Sequence, residues 1–230
     1  MDQSSRLVAL LPFKRNSTRV PNKNFREMHS KPLYCWVLEA LINSKLVDQI
    51  VINTDAADLI INNPLVSHGK VALVERHVKL IGDEVSMNLI IESDLNSIDG
   101  DQFLMTHVTN PLVQSETYDR AIRKFRSNLQ NGAFDSLFSV NKMQERFYTE
   151  EGTPISHDPR ELLPTQCLTP VYKENSNIYI FTRQSFLNAG GRIGQRPFLF
   201  EMNETESIDI DNQQDWLISE ALLAQRDRWT

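Results

Sequence analysis

Along the first half of the chain, short apolar runs without polar alternation take turns with stretches whose apolar positions recur every three or four residues. "LVALLPF" (7–13), "QIVINT" (49–54), "KVALVE" (70–75) and "QFLMTHV" (102–108) are of the first kind. Runs of this length, rich in Val, Ile and Leu, are expected of strands buried on both faces. Between the first two lies "PLYCWVLEALINS" (32–44), where Leu33, Trp36, Val37, Ala40 and Leu41 share a helical face behind a proline suited to a first turn. Further helices are predicted over 84–97 and over 115–129, the latter with Ser115 placed to cap it and Glu116 in its first turn. After a long polar interval come two more strand-like runs, "NIYIFT" (177–182) and "PFLFEM" (197–202). The last helix, "NQQDWLISEALLAQRD", has Trp216, Leu217, Ala221 and Ala224 at core spacing.

This alternation predicts an α/β fold with a mainly parallel sheet and right-handed crossovers. Ligands of such sheets sit beyond the carboxyl ends of the strands. The loops 14–23, from Asp55, from Arg76 and 107–113 are therefore predicted to line one crevice. No repeat, low-complexity tract or Pro/Gly/Ser-rich linker interrupts the 230 residues, which are read as one domain, 1–230. The polar, proline-containing stretch 141–172 is too long to lie structureless in a compact domain. It is expected to be an excursion packed on something else, such as a second subunit.

Composition changes this picture little. Hydrophobic content of 40% and charged content of 23% are ordinary for a soluble globular protein. The two cysteines, Cys35 and Cys167, form neither a disulfide framework nor a metal-ligand spacing, which favours a reducing compartment. Cys35, between Leu33 and Trp36, is read as packing. The apolar run near the N-terminus is seven residues long and broken by proline, too short for a secretion signal or a membrane span. A cytoplasmic protein without membrane contact is expected.

Charge changes it more. The net charge of −6 argues against nucleic-acid binding, and no interleaved basic and aromatic platform is visible. Yet residues 6–31 hold seven Lys or Arg and one acid, a local charge of +6. Cations gathered on one loop of an acidic protein suit a small anion, the alternative being a solvated basic loop. "KRNSTRVPNK" (14–23) has four basic residues and no glycine, and GxGxxG and GxxxxGK[ST] are both absent. Phosphate would have to be held by the side chains of Lys14, Arg15, Arg19 and Lys23, with Ser17 and Thr18 hydroxyls and backbone N–H groups assisting.

A second cluster lies at 201–220, with seven acids and no Lys or Arg. If 208–211 is extended, Asp209 and Asp211 project to the same side, about 6.6–7 Å apart between Cα atoms. Two such carboxylates suit one Mg²⁺ whose remaining positions are filled by phosphate oxygens and water. The competing reading is that Asp211, followed by Gln214, caps the last helix. A cationic loop joined to a carboxylate pair describes phosphoryl or nucleotidyl transfer.

At this point six segments resemble, in order, the motifs of the CMP-sugar synthetases, the cytidylyltransferases of acylneuraminate and Kdo. "FKRNSTRVPNKN" is similar to their A-R-x-x-S-[KT]-x-x-P-x-K-N loop, "VINTD" (51–55) to V-x-S-T-D, and "ERHVKLIGD" (75–83) to R-P-x-x-L-A-x-D. "VTNPLV" (108–113) resembles Q-P-T-S-P-L-R, "YKENSNIYIF" (172–181) the N-G-A-I-Y segment, and "SIDIDNQQD" (207–215) S-I-D-I-D-x-x-x-D. The resemblance implies a Rossmann-like sheet of the nucleotide-diphospho-sugar transferase type, a dimer whose protruding segment (about 141–172) reaches the partner, and a Mg²⁺-dependent reaction. CTP would be coupled to the anomeric hydroxyl of a 2-keto-3-deoxy sugar acid, giving a CMP-sugar and pyrophosphate.

By the same resemblance Lys14, Asn16, Ser17, Thr18, Arg19 and Lys23 would bind the triphosphate, with Arg76 and Asp83 near the cytidine. Asp209 and Asp211 would hold Mg²⁺, and these two with Lys14, Arg19 and Lys23 would carry catalysis. His107, Thr109, Gln166, Asn175 and Tyr179 would face the sugar. His107 is open to three readings: a sugar hydrogen-bonding group, a proton acceptor, or a residue closing a strand end. The chain departs from the pattern at Lys14 for arginine, His107 for glutamine, Val113 for arginine, "TQCLT" (165–169) for R-x-x-L-P, and Ser176 and Asn177 for Gly and Ala. A glycosyltransferase-like user of nucleotide sugars, a non-catalytic binding relative and a CMP-Kdo-type synthetase are the alternatives.

Overall fold

The computed structural model describes residues 5–17 and 20–225. Strand β1 (Leu7–Phe13) leads into the basic loop, and a short hairpin of β2 (Glu27–Met28) and β3 (Lys31–Pro32) precedes helix α1 (Leu33–Asn43). Then follow β4 (Gln49–Thr54), α2 (Ala57–Ile60), β5 (Val71–Glu75), α3 (Met87–Ser97), β6 (Gln102–Met105) and α4 (Ser115–Gln130). The chain continues through β7 (Ser136–Met143), β8 (Val171–Thr182), α5 (Arg183–Ala189), β9 (Pro197–Glu201) and α6 (Gln213–Leu223).

Seven strands form one sheet in the order β5-β4-β1-β6-β8-β7-β9. Only β8 runs against its neighbours, pairing antiparallel with β6 and β7. The carboxyl ends of the other six and the start of β8 therefore lie along one edge, where the site is built. All seven residues of β1 are buried. Leu7, Ala9, Leu11 and Phe13 pack in the layer holding Val37 and Leu38 of α1 and Ile122 and Phe125 of α4. Val8 and Leu10 pack with Ile91 and Leu95 of α3 and Phe186 of α5 on the other face. Each Val, Leu, Ile or Phe among them contributes about 1.5–3 kcal/mol on full burial. A one-residue slip would exchange the two sets, so the register is fixed from both sides.

Several expectations are corrected. α4 starts after Gln114 without a side-chain cap, and Ser115 Oγ instead donates to Glu116 Oε2 at 2.9 Å. α6 is capped by Asn212, whose Oδ1 accepts from Gln214 N (2.8 Å) and Asp215 N (3.0 Å), and Asp215 completes the capping box. The cap is thus not the Asp211–Gln214 pair. Of the four apolar residues assigned to the core of α6, only Trp216 is buried, with Ser219 and Leu223, while Leu217, Ala221 and Ala224 are exposed. The apolar periodicity had followed the wrong stripe.

β7 and α5 went unpredicted. β7 and the start of β8 also take over both ends of the polar stretch, leaving 144–170 outside the sheet. There Tyr148 bridges Pro154, Ile155 and Leu162 are exposed, and Thr165–Cys167 form a 3-10 turn. Among the described residues no helix is long and apolar enough to cross a membrane.

Candidate active site

β1 ends at Phe13, and the chain turns into a cleft of about 300 Å³. Lys14, Ser17, Lys23, Arg76, Asp83, His107 and Thr109 line it. The loops after β1, β5 and β6 thus converge as predicted. Asp55, after β4, does not line the cleft but accepts from Arg15 N at 2.6 Å. The Arg15 guanidinium points outward to an ion pair with Asp58, which removes it from the phosphate clamp. Asn16 is exposed and outside the cleft lining. Thr18 and Arg19 lie outside the described residues.

Lys14 and Asp83 form an ion pair across the cleft mouth. Lys23 is 7% exposed, and its ammonium donates to the Ile210 carbonyl, between Asp209 and Asp211. Ile210 itself is fully buried with Trp216, and its N–H donates to Thr109 O at 2.9 Å. One buried isoleucine between two half-buried aspartates fixes which way the aspartates face. Asp215 Oδ2 accepts from the N–H of both Asp211 and Asn212 at 2.9 Å, tying this segment to the start of α6. Asp209 and Asp211 line a second, acid-rich cavity of about 600 Å³ together with Glu174, Asn175 and Ser176.

Arg76 is buried beneath the cleft as a pin between strand ends. Its guanidinium donates to Phe13 O (3.0 Å), Asn53 O (2.7 Å) and Asn53 Oδ1 (2.9 Å). Asn53 Nδ2 in turn donates to Asp94 Oδ1 at 2.6 Å. Burial pushes the Asp94 carboxyl up to about 6, against the opposing pull of Asn53 and Arg76. Neither Asn53 nor Asp94 was singled out in the sequence; a polar residue inside an apolar strand was the available clue.

The residues expected to face the sugar divide. Asn175 lies in a bulge where four residues of β8 stand opposite Ser139 of β7. Ser139 Oγ donates to Asn175 Oδ1 at 2.5 Å and accepts from Ile178 N at 2.8 Å, so one hydroxyl organises the bulge. Ser176 has φ +58, the left-handed conformation that favours glycine, which gives a physical reason for the glycine of the motif. The fully buried Asn110 amide, oriented by its two acceptors, donates to the carbonyls of His107 and Ser176 at 3.2 Å each. Gln166 is exposed on the 144–170 segment, lines neither cavity, and offers its carbonyl to Gln144 at 3.1 Å.

His107 and Tyr179 meet at a residue the sequence reading missed, Arg192. Its guanidinium lies 3.7 Å from the Tyr179 ring centroid, and Nη2 donates to the Tyr179 hydroxyl at 3.0 Å. Nη1 faces His107 Nε2 at 3.3 Å. A guanidinium only donates, so Nε2 is the acceptor and the proton of the neutral ring sits on Nδ1. Burial, with Arg192 and Lys23 nearby, drives His107 down to about 3. A nitrogen of such low basicity, already bonded, makes a poor proton acceptor, which counts against that reading of His107.

With cations at the mouth and floor of a cleft, and a carboxylate pair beside them, the arrangement suits a polyphosphate. The cytidylyltransferase family model matches residues 8–216. The chain belongs to the cytidylyltransferase family. Among relatives of this cytidylyltransferase, CMP-N,N'-diacetyllegionaminic acid synthase of Legionella pneumophila is 26% identical over 226 residues, covering 95% of this chain and 96% of that protein. Pseudaminic acid cytidylyltransferase of Campylobacter jejuni serotype O:2 is 23% identical, covering 90% of this chain and 92% of that one. A CMP:2-keto-3-deoxy-manno-octonic acid synthetase, solved with CTP, shares the fold with a TM-score of 0.69 at 16% identity, over 96% of this chain and all of that chain.

Proposed function

We propose that this cytidylyltransferase transfers a cytidylyl group from CTP to the anomeric hydroxyl of a nonulosonate sugar acid, releasing pyrophosphate and forming a CMP-sugar. The observation that carries this reading is the bond from Lys23 to the Ile210 carbonyl, which holds a phosphate-side cation against the Asp209–Asp211 segment. The names of the two sequence relatives supply the substrate class. Lys14, Ser17 and Lys23 bind the triphosphate, and Arg19 of the same basic segment is assigned with them by sequence alone. Arg76 fixes the cleft wall on the cytidine side, and Asn175 and Tyr179 face the sugar. Attack by the anomeric oxygen on the α-phosphorus builds negative charge that the Lys14 and Lys23 ammonium groups stabilise.

Among the described residues no group of three or more His, Cys, Asp or Glu forms a metal cage. Two carboxylates on one cavity wall do fit a Mg²⁺ that needs the nucleotide's own phosphates to complete its shell. Asp209 and Asp211 would hold it, and when bound it neutralises phosphate charge and orients the leaving pyrophosphate. The exposed apolar side chains Ile155 and Leu162 of the 144–170 segment favour a homodimer built on that segment.

The test is pyrophosphate release from CTP and Mg²⁺ against N-acetylneuraminate, legionaminate, pseudaminate and Kdo, with the Asp209→Ala/Asp211→Ala variant alongside. Turnover with one acid, lost in the variant, supports the reading. Measurable CTP binding with no release for any acid refutes it in favour of a binding relative.

A further inference from the structure

Arg192 borders a third cavity, of about 370 Å³, formed by the start of α3 and the turn after α5. This cavity shares Met87 with the nucleotide cleft and Glu174 with the acid-rich cavity, so it borders both. Resting on the proposed function, we infer that Arg192 is the residue that recognises the carboxylate of the sugar acid, with this third cavity receiving that group.

The argument is one of charge partition. A sugar acid brings a carboxylate that must be separated from the phosphates and from the aspartate pair. The acid-rich cavity is lined by Glu145, Glu174, Glu204, Asp209, Asp211 and Asp215 against the single cation Lys173, so it repels a further carboxylate and attracts a metal. Of the cations of the nucleotide cleft, Lys14 and Lys23 are assigned to the triphosphate and Arg76 is engaged by Phe13 and Asn53. Of the charged groups lining the third cavity, Arg192 is the cation and Glu174 the anion.

The guanidinium is held ready for such a ligand. The Tyr179 ring covers one face at 3.7 Å, and the bonds to His107 and the Tyr179 hydroxyl fix its plane. Glu174 stands at 3.6 Å, too far for a good hydrogen bond, and its Oε1 already accepts from Tyr179. The side chain is 20% exposed, so its charge reaches the cavity. A preorganised planar fork with a loosely compensated charge suits a carboxylate, which it can meet with two parallel hydrogen bonds. The backbone supports the same placement. Gly190 is left-handed at φ +71, and a Cβ on Gly191 would meet Asn88 Nδ2 at 2.7 Å, so the two glycines let the turn fold tightly against α3.

The experiment measures pyrophosphate release with the best sugar acid and with its C1 methyl ester, in the unmodified enzyme and in Arg192→Gln, Arg192→Lys and Lys173→Gln variants. In the unmodified enzyme the ester is expected to be about 10- to 100-fold poorer, the range for losing hydrogen bonds to a charged group. Arg192→Gln raises KM for the acid by a similar factor, leaves KM for CTP within about twofold, and removes the preference for acid over ester. Arg192→Lys restores part of that preference. A merely structural role would weaken acid and ester alike, so retention of the full preference in Arg192→Gln overturns the inference. Should that variant not fold, Arg192→Met takes its place, and full retention of the preference there overturns the inference equally. Loss of the preference in Lys173→Gln alone also overturns it, placing the carboxylate in the acid-rich cavity. Absence of turnover by the unmodified enzyme with every acid sinks the functional reading itself, and this assignment with it.

Discussion

Replacing Asp94 with asparagine should change how stability depends on pH. Asp94 is 3% exposed; Oδ1 accepts from Asn53, while Oδ2 is buried without a hydrogen-bond partner. Burial is the largest influence on its carboxyl and raises it from an ordinary 3.8 to about 6, although Arg76 lies near. The folded protein therefore keeps this proton up to about pH 6, whereas the unfolded chain releases it near 3.9. Between those values the folded state binds more protons, so stability falls as pH rises and levels off above about 6. At about 1.4 kcal/mol for each tenfold in proton affinity, the loss is on the order of 3 kcal/mol. Asparagine keeps an acceptor for Asn53 and has no proton to lose. Urea unfolding of both proteins from pH 4.5 to 7.5 should show the stability of the variant rising relative to the parent by about 2 kcal/mol, the part of that loss lying above pH 4.5, with a slope confined to the lower half of the range. A difference that is flat, or that moves toward the parent as pH rises, would mean that attraction to Arg76 outweighs desolvation and would refute the reasoning.

Three further outcomes are expected. Ser176→Gly and Ser176→Ala both lose the hydroxyl, but only glycine is at ease at φ +58; the glycine variant should be the more stable by about 1 kcal/mol, read as a higher Tm. Asn212→Ala removes the cap of α6 and should cost about 1 kcal/mol, while Asn212→Asp should recover most of it in the same melting experiment. Arg76→Lys cannot span Phe13 O, Asn53 O and Asn53 Oδ1 together; stability should fall by about 1–3 kcal/mol and KM for CTP should rise, whereas an unchanged KM would detach Arg76 from the cleft wall.

The parallel half of the sheet was legible because strands buried on both faces read as unbroken apolar runs, and β1, with every residue buried, is the plainest case. β7 was not legible for the opposite reason. Its Ser136, Ser139 and Asn141 interrupt the pattern, yet two of them are spent on the site: Ser139 organises the β8 bulge, and Asn141 Nδ2 donates to Ser207 Oγ at 2.7 Å next to the aspartate segment. In α6 the apolar count misled, since Leu217 and Ile218 are 57% and 43% exposed while Ser219 is buried. Exposed leucines are common on folded proteins, so apolar identity alone does not identify the inner face.

The site shows the same division between composition and direction. Crowding of Lys and Arg in 14–23 located the loop, because charge excess survives without knowledge of orientation. Which cations point inward did not follow: Lys23 is buried against Ile210 O, while Arg15, one residue beyond Lys14, turns out to Asp58. Arg192 was beyond reach by any local pattern. It joins His107, Tyr179 and Glu174 because β8 runs antiparallel between β6 and β7, so that α5 and the turn after it pack against α3. The side of the crevice proposed to hold the phosphates is thus built from segments that follow parallel strands and carry sequence motifs. The side proposed to face the sugar is built from a bulge and a glycine turn brought together by the reversed strand β8, so on that proposal sugar preference should respond most to changes there.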